Sequence, residues 1–284
     1  MSLNISERGV VRLELVGKNV RVYYKNGKPD EYPWEGITEL ICYNNQLRSL
    51  PELPQTLLKL LCFENDLQGL PTLPESLNTL WCSMNEQIQI LPELPSRLED
   101  LSCDYTGLEF LPELPKSLKS LECAANRIKN ISELPQSLIS LDCRWNTLQS
   151  LPKIPETLEK LYCSDNQLSK LPKIPETITE LGCVKNPLIF IPPLQKRPVH
   201  YQVPEKLQLL HSQEHYPKYQ SRYQTYFYLI SYLALENNVL PNLLSSGCWW
   251  FPGDIIQDFL LEKIKISSLC SVTTSYIPPR CFVE

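Results

Sequence analysis

The chain has 284 residues, a net charge of −5 and 21% charged side chains. This mild acidity gives no reason to expect a nucleic acid or a membrane surface as a partner. Residues 2–8 lack the apolar core of a signal peptide, and the longest apolar run, residues 226–235, is too short to span a bilayer. We therefore expect a protein that is not secreted by a signal peptide and that works in a reducing, intracellular compartment.

Residues 1–36 are predicted to form an N-terminal β-hairpin cap. Residues 10–16 and 20–24 alternate apolar and polar side chains around the turn Gly17-Lys18-Asn19. The hairpin then leads into Tyr32-Pro33-Trp34. Because the open edge of a sheet needs a cover, we expect the hairpin to continue the sheet of the following segment and to cap it.

Residues 37–194 repeat one phrase, L-x-x-L-x-C-x-x-N-x-L-x-x-L-P-x-L-P-x-S/T. Its cysteines recur in steps of 20 residues, with one step of 21: Cys42, Cys62, Cys82, Cys103, Cys123, Cys143, Cys163 and Cys183. A fixed period of this length predicts a solenoid, in which each unit buries its core against its neighbours. The segment L-x-x-L-x-C alternates apolar and variable residues, which is typical of a short strand with one buried face.

The other repeated residues have predicted structural roles. The asparagine three positions after each cysteine should be buried at a turn and should satisfy backbone groups there. The prolines of L-P-x-L-P exclude helix and central strand, so this return side should be extended. The Ser or Thr that follows should bond to local backbone. An insertion at residues 86–90 and the replacement of asparagine by Thr106 interrupt the pattern.

This phrase resembles leucine-rich repeats, and among them the short bacterial type with L-P-x-L-P. That subtype is typical of effectors that bacterial pathogens inject into host cells. Copies with a cysteine in the strand also resemble leucine-rich-repeat proteins of large DNA viruses of amoebae, and an N-terminal hairpin in place of a helical cap favours the viral likeness. The resemblance covers residues 37 to about 194, and it implies an arc with a parallel concave β-sheet and an extended convex side.

The repeat cysteines are predicted to act as small buried hydrophobes. Equivalent thiols on adjacent parallel strands lie about 4.8 Å apart and point the same way. This arrangement strains a disulfide and cannot surround a tetrahedral zinc ion. We therefore expect no metal and no cofactor, with a metal or redox role of the cysteines as the alternative.

No motif predicts catalysis. The histidines His200, His211 and His215 lack an H-E-x-x-H pattern, and neither a glycine-rich phosphate loop nor a G-x-S-x-G motif occurs. Some effectors with these repeats carry a ubiquitin-ligase domain whose nucleophile lies in a C-x-D motif, which Cys163-Ser164-Asp165 matches. This cysteine lies inside a repeat, however, and a buried thiol is a poor nucleophile. The protein is predicted not to be an enzyme.

Residues 195–284 are predicted to form a C-terminal, mostly α-helical and aromatic-rich cap or module. One helix should include Tyr219 and Ile230, and a second should begin near Asp254. The segment Trp249-Trp250-Phe251 between them is either core or an exposed docking patch. The sequence that follows Phe251 faintly resembles the opening of an F-box, which would make the tail an adaptor for ubiquitin machinery.

Function is predicted to reside on the concave sheet, at the solvent-facing positions around each leucine and cysteine. The first three repeats place apolar and aromatic residues there, Leu61 among them, the middle repeats are acidic, and the last ones are mixed. An exposed strip of apolar side chains on adjacent strands is typical of an interface. The predicted partner-binding residues are Tyr43, Phe63, Trp81, Asp100, Asp104, Tyr105, Glu122, Asp142, Arg144, Trp145 and Tyr162.

The predicted function is that of a protein-binding adaptor or scaffold of a virus or another pathogen, acting in a host cell. Its partner would be a host or viral protein, with no nucleic acid and no membrane involved. The expected location is the host cytoplasm, with the nucleus or the virion as alternatives. The alternative function is a structural virion or assembly component that forms homo-oligomers through its aromatic C-terminal segment.

Overall fold

The computed structural model describes residues 1–188, 191–192, 194 and 199–202, which contain thirteen strands and no helix. In chain order the strands are β1 (Ser2–Asn4), β2 (Val10–Val16), β3 (Asn19–Tyr24), β4 (Asp30–Pro33), β5 (Glu39–Ile41), β6 (Lys59–Leu61), β7 (Thr79–Trp81), β8 (Asp100–Ser102), β9 (Ser120–Glu122), β10 (Ser140–Asp142), β11 (Lys160–Tyr162), β12 (Glu180–Gly182) and β13 (His200–Gln202). A ten-stranded sheet has the order β1-β5-β6-β7-β8-β9-β10-β11-β12-β13, and β2, β3 and β4 form a second sheet.

The repeat length sets the register of the ten-stranded sheet, in which all pairs are parallel. Leu40 lies opposite Leu60, and Leu60 lies opposite Leu80. The 21-residue step keeps this register, with Leu80 opposite Leu101, because the extra residue falls in the loop after β7. The inner leucine and the cysteine of every repeat are buried in one continuous core. The parallel solenoid that the period predicts is confirmed.

Asparagine side chains connect successive repeats through buried backbone groups. The Nδ2 of Asn65 donates to the carbonyls of Cys42 and Cys62, at 3.0 and 3.1 Å, and its Oδ1 accepts from the N–H of Leu47 at 3.0 Å. The same pattern of bonds recurs at Asn85, Asn126, Asn146, Asn166 and Asn186. Thr106 takes this place in one repeat and donates its hydroxyl to the carbonyl of Cys103. The predicted structural role of the asparagines is confirmed.

Each repeat turns at a residue in the left-handed helical region, two positions after the cysteine. These residues have φ between 51 and 56°: Asn44, Glu64, Met84, Tyr105, Ala125, Trp145, Asp165 and Lys185. This conformation costs a residue with a Cβ atom about 1 kcal/mol. The conformation recurs in every repeat although the side chains differ, so we infer that the hydrogen bonds of the following residue, an asparagine or Thr106, hold the turn. Sequence reasoning did not predict it, because glutamate, methionine and tryptophan are not typical of such positions.

The proline-rich side of each repeat ends in a turn, in which the N–H of Leu57, for example, donates to the carbonyl of Pro54 at 3.0 Å. The hydroxyl before this leucine bonds to the preceding repeat. Ser76 Oγ reaches the carbonyls of Gln55 and Leu57 at 2.8 and 2.6 Å. Ser117, Ser137, Thr157 and Thr177 do the same. The expected bond to local backbone is therefore wrong, and these hydroxyls instead join neighbouring repeats.

The predicted N-terminal hairpin is present, but it does not continue the parallel sheet. β2 and β3 pair antiparallel, and β4 adds a third strand beside β3. The parallel sheet is extended by β1, whose Leu3 lies opposite Leu40. The expectation that the hairpin would extend the sheet is wrong, because an earlier segment already occupies that edge.

Residues 2–10 reproduce half of a repeat in geometry. Ile5 is fully buried in the place of a cysteine, and its N–H donates to the carbonyl of Ile41 at 2.8 Å. Glu7 has a φ of 58°, as the turn residues of the repeats do. The N–H of Val10 donates to Oδ1 of Asn45 at 2.8 Å, which is the bond that Leu47 makes to Asn65. The sequence signal for this N-terminal half-repeat is the short phrase Leu3-Asn4-Ile5.

The parallel sheet reaches beyond residue 194, where the repeats were predicted to end. β13 pairs with β12, so that His200 lies opposite Glu180, and the N–H of Cys183 donates to the carbonyl of Gln202 at 2.8 Å. The described part of the chain holds no helix able to cross a membrane. Several predictions lie outside the described residues: the helices near Tyr219 and Asp254, the segment Trp249-Trp250-Phe251, and the roles of His211 and His215.

Candidate interaction surface on the sheet

Alternate strand residues point away from the core and form the solvent face of the parallel sheet. In the second repeat these are Lys59, Leu61 and Phe63, which flank the buried Leu60 and Cys62. Leu61 was predicted to be exposed, but only 8% of it is accessible, because it lies between Ile41 and the larger Trp81 on the neighbouring strands. Tyr105 and Trp145, which were predicted on this face, lie in the left-handed turns just beyond the strand ends.

Three rings from the first three repeats form what we call the aromatic strip: Tyr43, Phe63 and Trp81. The rings of Tyr43 and Phe63 stack with centroids 4.4 Å apart and an interplanar angle of 7°. Phe63 and Trp81 lie 6.4 Å apart at 51°. The Nζ atom of Lys59 lies 5.9 Å from the centroid of the Trp81 ring. The structure thus brings the three predicted aromatic residues together.

Trp81 connects the aromatic strip to the acidic middle of the face. Its Nε1 donates to Oδ2 of Asp100 at 3.0 Å, across one strand spacing. The indole is therefore fixed in orientation while more than a third of it stays exposed. A side chain that is oriented in advance loses less conformational entropy when a partner binds.

The acidic middle contains Asp100, Asp104 and Glu122, and none of the three forms an ion pair within the described residues. The pKa of the Asp104 carboxyl is raised to about 6, chiefly by burial, and the charges of Glu122 and Asp142 contribute to this rise. A hydrogen bond from the N–H of Ala124, at 2.5 Å, lowers this pKa, as does the charge of Arg144. The middle of the face therefore holds carboxylates that repel one another.

Asp142 is not available in the way that was predicted. It is buried, and both of its oxygens accept from Arg144: Nε lies 2.9 and 3.0 Å from the two oxygens, and Nη2 lies 2.5 Å from Oδ2. The guanidinium also lies 5.0 Å from the ring of Trp145 and 5.3 Å from that of Tyr162. Residues two apart on a strand share a face, which explains why this pair forms.

In the repeats of β11 and β12 the charges beside the strands are paired with each other. Lys160 Nζ lies 2.8 Å from Glu180, which also accepts from the hydroxyl of Tyr162. Burial and this hydrogen bond raise the pKa of Tyr162 to about 12. Lys185 pairs with Asp165 at 2.9 Å. Among the described carboxylates of the sheet face from β7 to β12, those without a paired cation are therefore Asp100, Asp104 and Glu122.

The cysteines of the repeats are buried and unpaired, as predicted. Burial raises the pKa of the Cys42 and Cys82 thiols to about 12, and it raises the pKa of Cys163 well above its usual value. Cys163, the residue that matches a C-x-D motif, is thus a protonated and inaccessible thiol. In the described part of the chain no group of three or more His, Cys, Asp or Glu side chains could hold a metal ion.

Ile90 and Phe110, the two most exposed apolar residues between residues 37 and 188, lie in the loops after β7 and β8, and sequence reasoning missed both. In five of the other six repeats the equivalent position holds a small or polar residue (Ser49, Gly69, Asn130, Ser150 and Lys170), and in the last repeat it holds Phe190. Comparison of the repeats at this one position was the signal that could have found them.

The architecture decides the type of repeat. Each unit of 20 residues, or 21 in one case, supplies one short parallel strand and one proline-rich return. In every unit but one, in which Thr106 takes its place, an asparagine bridges to the neighbouring unit. This is a leucine-rich-repeat solenoid. The resemblance that the sequence shows is confirmed at the level of the fold.

Several solved structures are similar to this chain. YopM from Yersinia enterocolitica WA-314 is 33% identical with a TM-score of 0.49, and the match covers 59% of this chain and 41% of YopM. The leucine-rich-repeat domain of a Shigella effector is 35% identical with a TM-score of 0.45, covering 50% of this chain and 66% of that domain. A leucine-rich-repeat protein of Leptospira interrogans is 27% identical with a TM-score of 0.44, covering 57% and 45%.

This chain spans less than two thirds of each of these three structures. No protein-family model matches the sequence. No curated protein matches it significantly. The likeness to viral proteins stays a prediction.

Proposed function

We propose that this protein is a non-enzymatic scaffold that binds a partner protein on the solvent face of its parallel sheet. The observation that carries the proposal is the aromatic strip, in which rings from adjacent strands pack on each other outside the core. The core does not need these rings, because leucine and cysteine fill the buried positions of every repeat. Aromatic side chains are enriched among the residues that dominate protein interfaces.

The charges beside the aromatic strip favour a basic partner surface. Asp100, Asp104 and Glu122 lie on adjacent or nearby strands and have no cation paired with them in the described residues. A partner that brings lysine or arginine to this place would relieve their mutual repulsion. Charge complementarity of this kind acts mainly on association rate and on specificity.

The dimensions of the sheet suit a protein partner. Ten strands at a spacing of about 4.8 Å span about 40 Å, which accommodates an interface of standard size. The buried, protonated state of the repeat thiols supports a binding role rather than a catalytic one, since a thiolate is the reactive form.

The proposed setting is a host cell in which the protein of a virus or a bacterial pathogen acts, and its support is the short L-P-x-L-P repeat itself. The alternative is a structural component of a virion that self-associates through residues 195–284. No observation on the described residues favours this alternative, so the test below includes self-association as one of its possible outcomes.

The test begins with the full-length protein as bait in a host-cell lysate, followed by calorimetry with the purified protein that it captures. Trp81→Ala should weaken binding by about 2 kcal/mol or more, which is roughly thirtyfold in Kd. Glu122→Lys should mainly slow association and change its salt dependence. The matched control is Glu113→Lys, an equal charge change at an exposed position on the proline-rich side.

Two outcomes would reject the proposal. Binding that is unaffected by Trp81→Ala and Glu122→Lys would place the site elsewhere. Concentration-dependent self-association in light scattering, with no effect of either substitution on any captured protein, would favour the structural-component alternative.

A further inference from the structure

The exposed large apolar side chains of the solenoid are concentrated in two repeats. Eight such residues occur between residues 37 and 188, and five of them lie within residues 81–110: Trp81, Met84, Ile90, Tyr105 and Phe110. Trp81 belongs to the aromatic strip. The other four, which we call the loop patch, lie in the loops that follow β7 and β8, outside the sheet face.

The loop patch consists of two pairs of equivalent residues on adjacent repeats. Ile90 and Phe110 precede the leucines of two successive L-P segments and are 62% and 53% exposed. Met84 and Tyr105 occupy the left-handed turns of the same two repeats, and each is 49% exposed. Exposed apolar residues that recur on neighbouring units indicate a contact surface more strongly than isolated ones do.

The backbone conformation does not explain why these four positions carry large apolar side chains. Met84 and Tyr105 have φ of 56 and 51°, where glycine or asparagine would be less strained. Ile90 and Phe110 stand where five of the other six repeats carry serine, glycine, asparagine or lysine. Neither pair contributes to the core, so their presence on the surface calls for another cause.

The two loops approach each other closely, and hydrogen bonds anchor the second loop to the following repeat. Gly107 has a φ of 92°, and a Cβ atom at this position would lie 3.1 Å from the carbonyl oxygen of Glu86 in the other loop. The Oδ1 of Asn126 accepts from the backbone N–H groups of Thr106, Gly107 and Leu108, at 3.1, 2.8 and 3.0 Å. A surface built on a fixed backbone binds at a lower entropic cost.

The surroundings of the loop patch are strongly acidic. Residues 60–115 contain ten acidic side chains and one basic one, Arg97. This excess of nine negative charges is larger than the net charge of the whole chain, −5. The exposed carboxylates Glu86 and Glu109 are close to the loop patch in sequence, and Glu64 and Asp66 lie in the loop of the preceding repeat. None of the four has an ion pair among the residues that the structure describes.

From the exposed apolar pairs, the closely approaching loops and the acidic surroundings, we infer that the loop patch is a second docking surface, which binds a basic amphipathic segment of a partner protein. The apolar side of that segment covers Ile90 and Phe110, and its lysines or arginines face the flanking carboxylates. Like charge would repel an acidic partner from this place. The loop patch shares no residue with the aromatic strip, and its occupancy does not require that the strip binds anything.

The experiment uses the full-length protein and a fluorescent amphipathic peptide of lysine and leucine as the probe, read by anisotropy at two salt concentrations. The double variant Ile90→Ser/Phe110→Ser should bind it about tenfold or more weakly. Glu86→Lys/Glu109→Lys should also bind it more weakly and with a smaller salt dependence. The matched control, Leu58→Ser/Ile139→Ser, removes two exposed apolar residues elsewhere and should leave binding unchanged.

Three outcomes would overturn the inference. The first is that the probe binds equally to wild type and to Ile90→Ser/Phe110→Ser, or that wild type binds a peptide with glutamate in place of lysine as tightly as it binds the probe. The second is a wild-type protein that does not bind the probe; a lowered Tm of the double variant would then mean that the chain covers the patch itself. The third is a dimer in light scattering that the double variant converts to monomer, which would make a second copy the occupant.

Discussion

The side-chain oxygen of Asn146 accepts a 2.9 Å hydrogen bond from the backbone N–H of Ile128, which precedes it by 18 residues. The Nδ2 of the same side chain donates to the carbonyls of Cys123, Cys143 and Arg144, at 2.9, 3.3 and 3.1 Å. One buried amide thus satisfies backbone groups of two repeats. Since a solenoid unit contacts only its neighbours, bonds of this kind determine how strongly adjacent repeats are coupled.

Asn146→Ala should destabilise the protein by about 3 kcal/mol or more, because it leaves buried backbone donors and acceptors without partners. The measurement is the free energy of unfolding in urea. Asn130→Ala is the control, since Asn130 is exposed in the same region of the solenoid. If Asn146→Ala lowers the free energy of unfolding no more than Asn130→Ala does, the hydrogen bonds of the repeated asparagines do not hold the repeats together.

The left-handed turns predict opposite effects for two substitutions at one residue. Ala125 has a φ of 52°, which a β-branched side chain tolerates poorly. Ala125→Val should therefore destabilise by about 1 kcal/mol or more, whereas Ala125→Gly should be neutral or stabilising by a few tenths to about 1 kcal/mol. Ser140→Val on strand β10 is the control for valine itself and should not destabilise. Equal stabilities of the valine and glycine variants at residue 125 would contradict the strained turn.

The repeated part of the fold was predictable because its signals are periodic. Leucine, cysteine and asparagine recur at fixed positions, so strand, core and ladder follow from one phrase. β1 was missed because Leu3-Asn4-Ile5 matches only a fragment of that phrase. The partners of Ser76 and its equivalents were mispredicted because the carbonyls lie 19 and 21 residues earlier in the chain, a distance that local turn rules do not consider.

The candidate surface was predictable in composition and only partly in detail. Strand alternation places Phe63 and Trp81 on one face, and the structure brings them together. The pairing of Asp142 with Arg144 was not foreseen, although residues two apart on a strand lie side by side. Ile90 and Phe110 were not predicted because they lie in loops, where buried and exposed side chains do not alternate as they do along a strand.

The ion pair of Asp142 and Arg144 should be worth more than an exposed pair. Asp142 is buried beneath the guanidinium, so Arg144→Ala would leave its charge without a partner. We expect a loss of about 1 to 3 kcal/mol, below the range for a fully buried pair because Arg144 is partly exposed. A double-mutant cycle with Asp142→Asn isolates the coupling, and Lys173 with Glu156 serves as the exposed comparison. Equal coupling energies in the two cycles would show that burial adds nothing.

The raised pKa of Asp104 predicts how stability depends on pH. Its carboxyl titrates near 6 in the folded protein, above the usual value of 3.8, so the folded state holds this proton more tightly than the unfolded state does. The contribution of Asp104 to stability is therefore most favourable below about pH 4, and it is lost as the pH rises through 6. Asp104→Asn keeps an oxygen for the N–H of Ala124 and removes the charge.

Thermal melts of Asp104→Asn should show a Tm about 1 to 3 °C above wild type at pH 7.5 and no difference at pH 4. Partial exposure of the carboxyl keeps this effect modest. Glu113→Gln, which removes an exposed carboxylate, controls for net charge. A wild-type advantage at pH 7.5 would mean that the ionised Asp104 is stabilised in the fold, contrary to the raised pKa.

The eight repeat thiols should be unreactive in the folded protein, because they are inaccessible and burial raises their pKa. Titration with a thiol reagent at pH 8 should label few groups in the native state, chiefly Cys248, Cys270 and Cys281, and nearly all eleven cysteines after unfolding in urea.

Cys123→Asp should destabilise the protein by several kcal/mol, about the cost of burying an unpaired polar or charged group. Cys123→Ala keeps a small apolar side chain and should cost about 1 kcal/mol. Rapid labelling of the repeat cysteines without urea, or similar stabilities of the aspartate and alanine variants, would place these thiols outside the core.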